Sequence, residues 1–545
     1  MTPMNMKCKI SMMQLLLAVM AATQLITPAA FAASPGITGP NFKLVASPAH
    51  ISQPDGIFVY SWGYGCDGPQ TNYAPTAIIG TFCNNMQVPA PTLIVTQGQT
   101  VTVTLRNNLP GAAGNTSILF PGFNVSTSGG VPGLLTQEAQ PSGCDTTMNA
   151  QCNVVTYTFT ASTPGTRAYY SGTQGDLQVE MGLYGAIIVL PASTPANCNS
   201  GLHSQNESAQ QTHSEQDFRL AHAAYNHPAA CYDREYLFQF SEMDPRIHRE
   251  AEEQSGQACT GCMTVATEPY TPAYFMVNGR SMPDLMDPNY AKEYPHQPYN
   301  GDPHMHPGEL TLLRIIGQGR WQHPFHEHGN HVRVLARDGN LILSESDPNS
   351  LAGPALFTTT TTPGQATDGI YYWTGKGLNW DAYGHKPTSN DPLAKLTCTP
   401  DANGYNTGFA SNDTTFSGVA NPSVASAINY FEWCQDHNKP LQAAPFGDVA
   451  GGGPATLPDP NLFVNGAWYG GSPYLGPNAN VRAVGSTGTT PPSGTIGNSP
   501  TEEAGFAFMW HSHNEREITT NNIFPGGMMM LLLVDSREFV IDEKN

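Results

Sequence analysis

Seventeen histidines are spread unevenly along this 545-residue chain. His323, His326, His328 and His331 fall in one run, Trp-Gln-His-Pro-Phe-His-Glu-His-Gly-Asn-His, while His511 and His513 flank Ser512 far downstream. Alternate residues of an extended strand point to the same face. His326 and His328 therefore project together, and so do His511 and His513. Brought side by side, the two pairs place four imidazoles around one cavity. Neutral imidazole is a ligand for copper or zinc and needs no thiolate beside it. A single His-x-His pair reads as ordinary hydrogen-bonded histidine, but two in one strand-rich unit read as a metal site. Three histidines with an open coordination position can activate water or bind a small oxidant. Glu327 and Glu515 are near enough in sequence to serve as orienting carboxylates or general bases. Strict strand alternation turns Glu327 away from the His326/His328 pair.

Other chemistry-bearing residues carry less. His304-Met-His306 offers borderline and soft donors for copper loading, against the simpler reading of an exposed loop before Pro307-Gly308. Met528 to Met530 run into Leu531 to Leu533 and read as core. Trp380-Asp-Ala-Tyr-Gly-His385 reads as a pocket wall or a packing turn. Cys259-Thr-Gly-Cys262 stands alone, without a second such pair, and reads as a local disulfide. No Gly-rich phosphate loop and no GxSxG elbow is present.

The elements that must position the histidines are strands. The chain is 39% hydrophobic and only 12% charged, with 54 Gly and 46 Pro, a composition of short strands and turns. From Thr92 to Asn107, two β-branched runs alternate with polar residues around Gln97-Gly98, a hairpin-like signal. Val154 to Phe159 and Ala186 to Leu190 add further strands. Residues 196–230 are polar and read as a linker. A second strand-rich unit follows, with strands at Glu309 to Ile316, Asn330 to Ala336, Phe506 to Trp510 and Met528 to Val534, and a turn at Asp338-Gly339. Residues 386–500 read as a long, loop-rich insertion in that unit. No helical period is sustained beyond the first residues. The expectation is an all-β chain with units at 34–195 and 231–545.

The N-terminus reads as an export signal over residues 1–32: Lys7 and Lys9, an apolar stretch from Met12, then Ala30-Phe31-Ala32. No later apolar run is long enough to span a bilayer. Of eleven cysteines, setting aside Cys8 leaves ten, an even number that reads as disulfides in an exported protein. They fall into sequence-near pairs: Cys66 with Cys83, Cys144 with Cys152, Cys198 with Cys231, Cys259 with Cys262 and Cys398 with Cys434, although connectivity cannot be deduced from sequence. A secreted or periplasmic location follows. The net charge of −20 argues against nucleic acid and leaves cations as partners.

With these residues in view, the chain resembles the multicopper oxidases. His323-Pro-Phe-His-Glu-His-Gly329 resembles their HPxHxHG motif, and Trp510-His-Ser-His513 with Gly526-Gly-Met528 resembles HCHxxxH…GM. Val88-Pro-Ala-Pro-Thr92, Gln97 to Asn107 and Gly182 to Val189 resemble the opening and ending of the first barrel. The resemblance implies tandem cupredoxin-like Greek-key β-barrels and copper as the cofactor. The departures are as specific. The first barrel's HWHG is Leu119-Phe-Pro-Gly122 and its YHSH is Tyr169-Tyr-Ser-Gly172, so all four copper ligands of that barrel are lost. The type-1 cysteine position is Ser512, and the histidine five residues on is Glu517. His323 and Met528 match the rest of that site, which reads as a weaker metal candidate or as a polar interior.

What the resemblance leaves is one mononuclear site at His326, His328, His511 and His513, with His323 a weaker member and Glu327, Glu515 and Glu517 as carboxylates around it. Two readings stay open: a copper-dependent oxidoreductase taking a small-molecule reductant or oxidant, and a non-catalytic scaffold that sequesters copper or builds a surface. A zinc hydrolase stands third. The two-barrel layout resembles family members that assemble as trimers, so a homo-oligomer is compatible with it.

Overall fold

A computed structural model describes residues 33–373, apart from 79, 146, 148–149, 199–215 and 307–308, and residues 505–543, apart from 536–538. Between them it describes the short strands Gly471–Tyr474, Asn480–Val481 and Ile496–Gly497. The segment 1–32 read as an export signal, Cys398, Cys434, the Trp380–His385 run and most of 386–500 lie outside the described residues.

Alternation builds the first unit. In strand Thr100–Asn107, Val101, Val103 and Leu105 face inward while the intervening Thr and Arg face out. Strand Val154–Thr160 pairs with it antiparallel, setting Phe159 opposite Val101, Tyr157 opposite Val103 and Val155 opposite Leu105. These cross-strand pairs are the unit of sheet stabilisation. They belong to a sheet ordered 58–66, 41–52, 100–107, 154–160, 126–129. A second sheet, ordered 165–170, 184–190, 93–96, 36–38, 73–74, closes over it. Between the sheets pack Trp62, Tyr64, Phe120, Tyr157 and Tyr169.

The Thr92–Asn107 segment is not a hairpin. Leu93–Thr96 pairs with Gly36–Thr38 and Tyr184–Leu190, whereas Thr100–Asn107 pairs with the other sheet. The turn at Gly98, with φ of +88°, carries the chain from one sheet to the other. Local alternation cannot distinguish a strand that returns beside its neighbour from one that crosses a sandwich.

The second unit repeats the plan. One sheet is ordered 274–277, 234–243, 310–317, 366–372, 332–337, 340–341, and the other 304–305, 529–535, 505–512, 324–327, 358–360. Phe238, Phe240, Phe325, Phe508, Trp510 and Met530 fill the space between them. The all-β, tandem cupredoxin-like architecture expected from the sequence is what the chain adopts.

A ten-residue helix was not expected. Pro245–Gln254 is helical, started by the Asp244 side chain accepting from the Arg246 N–H with Pro245 in the first turn. Ile247 and Ala251, four residues apart, pack into the first unit's core. Four expected disulfides are formed, Cys66–Cys83, Cys144–Cys152, Cys198–Cys231 and Cys259–Cys262. Residues 216–230 are more than a polar linker, since Ala224 and Tyr225 pack with Leu310, Leu312 and Ile370. Among the described residues no helix is long and apolar enough to cross a membrane.

A buried charge network joins the units. Arg314 Nη2 lies 2.8 Å from Glu235 Oε2, and Arg314 Nη1 donates to Thr166 Oγ1 at 3.0 Å. Thr166 N donates in turn to Asp368 Oδ2 at 3.0 Å, and Tyr225 OH donates to the same oxygen at 2.5 Å. Removing the cation leaves two buried carboxylates without their counter-charge. Arg314→Met is expected to destabilise the protein by about 3–5 kcal/mol, measured as a lowered denaturant midpoint. The half-exposed pair His50–Glu252 provides the control, and Glu252→Gln is expected to change stability by less than about 1 kcal/mol.

Candidate metal centre

Strand Pro324–Glu327 lies between Gly505–Ser512 and Thr358–Thr360. Its register sets His326 directly opposite His511, Phe325 opposite Ser512 and Glu327 opposite Trp510. Period-two geometry then sends Phe325 and Trp510 into the aromatic core, where their rings lie 6.0 Å apart, and His326 and His511 to the other face. The chain turns after His328. Gly329 has φ of +101°, and a Cβ there would lie 2.3 Å from the Tyr371 hydroxyl. That hydroxyl donates to the His328 carbonyl at 3.0 Å, as does Trp510 Nε1 at 3.0 Å. Past the other strand's end, His513 N donates to the Pro324 carbonyl at 2.8 Å, which continues the ladder.

These constraints gather the four histidines read from the sequence. The His326 ring is 4.6 Å from His328, 5.7 Å from His511 and 4.9 Å from His513, centre to centre. His328 and His511 face each other through their Nε2 atoms at 3.1 Å. His326 Nδ1 bonds Thr358 Oγ1 at 2.8 Å, and His511 Nδ1 donates to the Ser512 carbonyl at 2.7 Å. Burial, reinforced by His511 and His513, holds His326 down at about 4. Burial also lowers His511, with His513 adding to it. At neutral pH both rings are therefore uncharged, the form that ligates metals.

Two imidazole nitrogens on one metal, at bonds of about 2.0–2.1 Å, sit roughly 3 Å apart at near-tetrahedral or square angles. The His328–His511 separation has that size. Among the described residues no three His, Cys, Asp or Glu side chains are already set around one point, so taking up an ion requires ring reorientation. The donor set fits a borderline ion such as copper.

The residues that the resemblance aligns with a type-1 site form a hydrogen-bonded cluster. His323 is fully buried, with Nδ1 at 2.8 Å from Glu517 Oε2 and Nε2 at 2.9 Å from Glu242 Oε2. Ser512 Oγ donates to Glu517 Oε2 at 2.5 Å, and Asn514 Nδ2 donates to Oε1 at 2.8 Å. Glu242 Oε1 accepts from the backbone N–H of Trp321 at 2.8 Å and from Tyr270 OH at 3.2 Å. Burial opposes a charge on His323, but the bonds to Glu242 and Glu517 prevail and raise it to about 9. Both ring nitrogens are thus donors in a carboxylate–imidazolium–carboxylate clasp, and His323 offers no lone pair to a metal. This corrects its reading as a weaker ligand: a polar interior fills the place, and Glu517 belongs to it.

The remaining candidates separate cleanly. Glu327 is buried on the core face, as alternation required, with neither oxygen hydrogen-bonded. Burial raises its carboxyl to about 8, against a smaller opposing effect of Thr359. Glu515 is exposed beside the cluster, where it partly offsets the lowering of His511. His304 and His306 are not on an exposed loop but buried, with His304 Nδ1 2.7 Å from Asp535 Oδ2. Glu242, Thr358 and Tyr371 escaped sequence reasoning. Glu242 carried one signal, a carboxylate inside the apolar strand run Tyr-Leu-Phe-Gln-Phe-Ser-Glu-Met.

A group raised from 6.5 to about 9 stabilises the fold fully below pH 6.5 and loses that contribution as the pH rises through 9. Replacing His323 by Gln is expected to lower stability by about 3–5 kcal/mol at pH 6, with the deficit shrinking by pH 10. Denaturant titrations of both proteins across that range provide the check.

A multicopper oxidase family model matches residues 76–194. The match falls on the first strand-rich unit. Among solved structures, a multicopper oxidase named mgLAC is 14% identical, with 91% of this chain and 86% of that chain covered and a TM-score of 0.42. The blue copper oxidase of Nitrosomonas europaea is 14% identical, with 91% and 85% covered and a TM-score of 0.42. The copper nitrite reductase of the same organism is 19% identical, with 62% and 86% covered and a TM-score of 0.37. Scores at this level carry no argument about chemistry. No curated protein matches the sequence. Residues 76–194 match the multicopper oxidase family model, and the chain around them has a tandem cupredoxin-like architecture.

Proposed function

We propose that this chain is an exported copper-binding oxidoreductase with a single mononuclear copper held by His326, His328, His511 and His513. The observation that carries the reading is the cross-strand register placing His326 opposite His511, with His328 and His511 facing each other at 3.1 Å. The leader-like N-terminus and the four disulfides support export. The proposed division is a leader at 1–32, barrels at 34–195 and 231–545 joined through 196–230, and an insertion at about 386–500.

Bound copper would supply one-electron redox chemistry and an open position for a small molecule. The chain's own groups orient the ligands. Thr358 holds Nδ1 of His326 and the Ser512 carbonyl holds Nδ1 of His511, in each case directing the other nitrogen toward the cluster. Tyr371 and Trp510 fix the backbone of His328. Phe357, its ring 5.7 Å from His326, shields the cluster's flank.

The non-catalytic scaffold has its own supporting observation. The His323 clasp leaves no thiolate and no free imidazole at the place where electrons would enter a four-copper enzyme. Metal analysis and electron paramagnetic resonance distinguish the two. Protein loaded with Cu(II) is expected to bind a single copper per chain with a nitrogen-coordinated type-2 signal, and His326→Ala with His511→Ala to lose it. Thr358→Val is expected to weaken copper binding by roughly 10–100-fold while leaving the fold intact. An absence of bound copper, unchanged in the double variant, would sink the metal reading and leave the scaffold.

A further inference from the structure

Cys259 and Cys262 are bonded to each other on the loop that follows helix Pro245–Gln254, against the turn Gly111–Ala113 of the first unit. Among the four described disulfides, this one differs in access. Cys66, Cys152, Cys198 and Cys231 are at most 5% exposed, so each of the other three bonds has a buried half. Cys259 is exposed and Cys262 half-buried. Thiol–disulfide exchange requires a thiolate to reach one sulfur, and exposed bonds are the labile ones.

The bond is not what holds its loop in place. Gly261 N donates to the Gly111 carbonyl at 2.9 Å, and Met263 N to the Ala112 carbonyl at 2.9 Å. Gly114 and Gly261 meet without side chains, since a Cβ on Gly114 would lie 3.1 Å from Gly261 Cα. The Gln254 amide grips Thr264 from both ends: Nε2 donates to its carbonyl at 2.9 Å, and Oε1 accepts from its N–H at 2.8 Å. Met263 packs into the first core. In the chain-entropy account, a disulfide stabilises by restricting the unfolded chain, an effect that grows with the loop it closes. The separation here is 3 residues, against 17, 8 and 33 for the others. Opening this bond therefore leaves two sulfurs side by side on a backbone held by other contacts.

A neighbouring acceptor suits the open form. Gln257 Oε1 lies 3.1 Å from Cys262 Sγ and 3.7 Å from Cys259 Sγ. A disulfide has no hydrogen to offer it, whereas a thiol has one.

We propose that Cys259–Cys262 is a reversible two-electron site that exchanges with soluble thiols. A thiolate attacks Sγ of Cys259, the more exposed sulfur, and the S–S bond breaks. Cys262 leaves as a thiolate and takes up a proton, and its S–H donates to Gln257 Oε1. A second thiolate attacks the mixed disulfide at its external sulfur, releasing an external disulfide and Cys259, which takes up the second proton. Two external thiols are oxidised, the protein's disulfide is reduced to two thiols, and the reverse path closes the pair. The site stands apart from the histidine cluster and holds whether or not that cluster carries copper.

Glutathione is the probe. The full-length protein, without added metal, is equilibrated at graded ratios of reduced to oxidised glutathione, quenched with acid and alkylated, and each cysteine is read by peptide mass spectrometry. Cys259–Cys262 is expected to open at a ratio at least about tenfold lower than Cys66–Cys83, Cys144–Cys152 or Cys198–Cys231. The near-ultraviolet circular dichroism is expected to stay unchanged, and the pair to close again in oxidised glutathione. Samples quenched early are expected to carry glutathione on Cys259. No opening at any ratio, opening of all four bonds together, loss of the near-ultraviolet signal on opening, or failure to close again would each overturn the proposal. Glutathione confined to Cys262 would overturn the assigned attack and the proposal with it.

Discussion

The antiparallel pairing of Pro324–Glu327 with Gly505–Ser512 decides which side chains enter the core and which enter the cluster. With His326 opposite His511, Phe325 and Trp510 complete an aromatic core with Phe238 and Phe240, and the histidines collect on the reverse face. A slip of one residue would exchange the faces, burying imidazole among aromatics and exposing Phe325 and Trp510. Burying large apolar side chains of this kind contributes roughly 1.5–3 kcal/mol each, so the core enforces the register on which the cluster depends. The geometry of the candidate centre is thus a consequence of hydrophobic burial and does not require a metal to be present.

Much of this was legible in the sequence because it rests on periodicity. His-x-His in a strand must point one way, and Glu327 between two histidines must point the other. Alternating Val and Thr in Thr100–Asn107 announced one wet and one dry face. What escaped had non-local causes. The run around Gly98 looked like a hairpin because sequence shows alternation but not which sheet receives a strand. Helix Pro245–Gln254 offered an Asp-Pro start and a four-residue apolar spacing, a signal shorter than a sustained period. Glu242 and His323 lie far apart in the chain and meet only because strand Arg234–Met243 runs beside the loop that carries His323. A partnership set by tertiary packing leaves no local mark.

The clasp at His323 holds a buried polar site together by charge alone. A type-1 copper would bring positive charge among buried ligands. The resemblance aligns Ser512 and Glu517 with two of its ligand positions, and protonated His323 provides the positive charge between Glu517 and Glu242. Burying a carboxylate alone is costly; placed against an imidazolium with further donors from Ser512, Asn514, Trp321 and Tyr270, it is satisfied. The clasp ties together strand Arg234–Met243, the loop before Pro324 and the turn Glu515–Ile518.

The two places that the resemblance aligns with copper sites are filled differently because their residues differ in polarity. Ser512 and Glu517 hydrogen-bond and belong to the clasp with His323. Leu119 and Gly172 pack instead: a Cβ at Gly172 would meet Leu119 Cγ at 2.8 Å. The barrels are apolar enough to stand without copper in either place. Side-chain packing therefore carries the fold, and the four histidines collected on one face add nothing that holds it together.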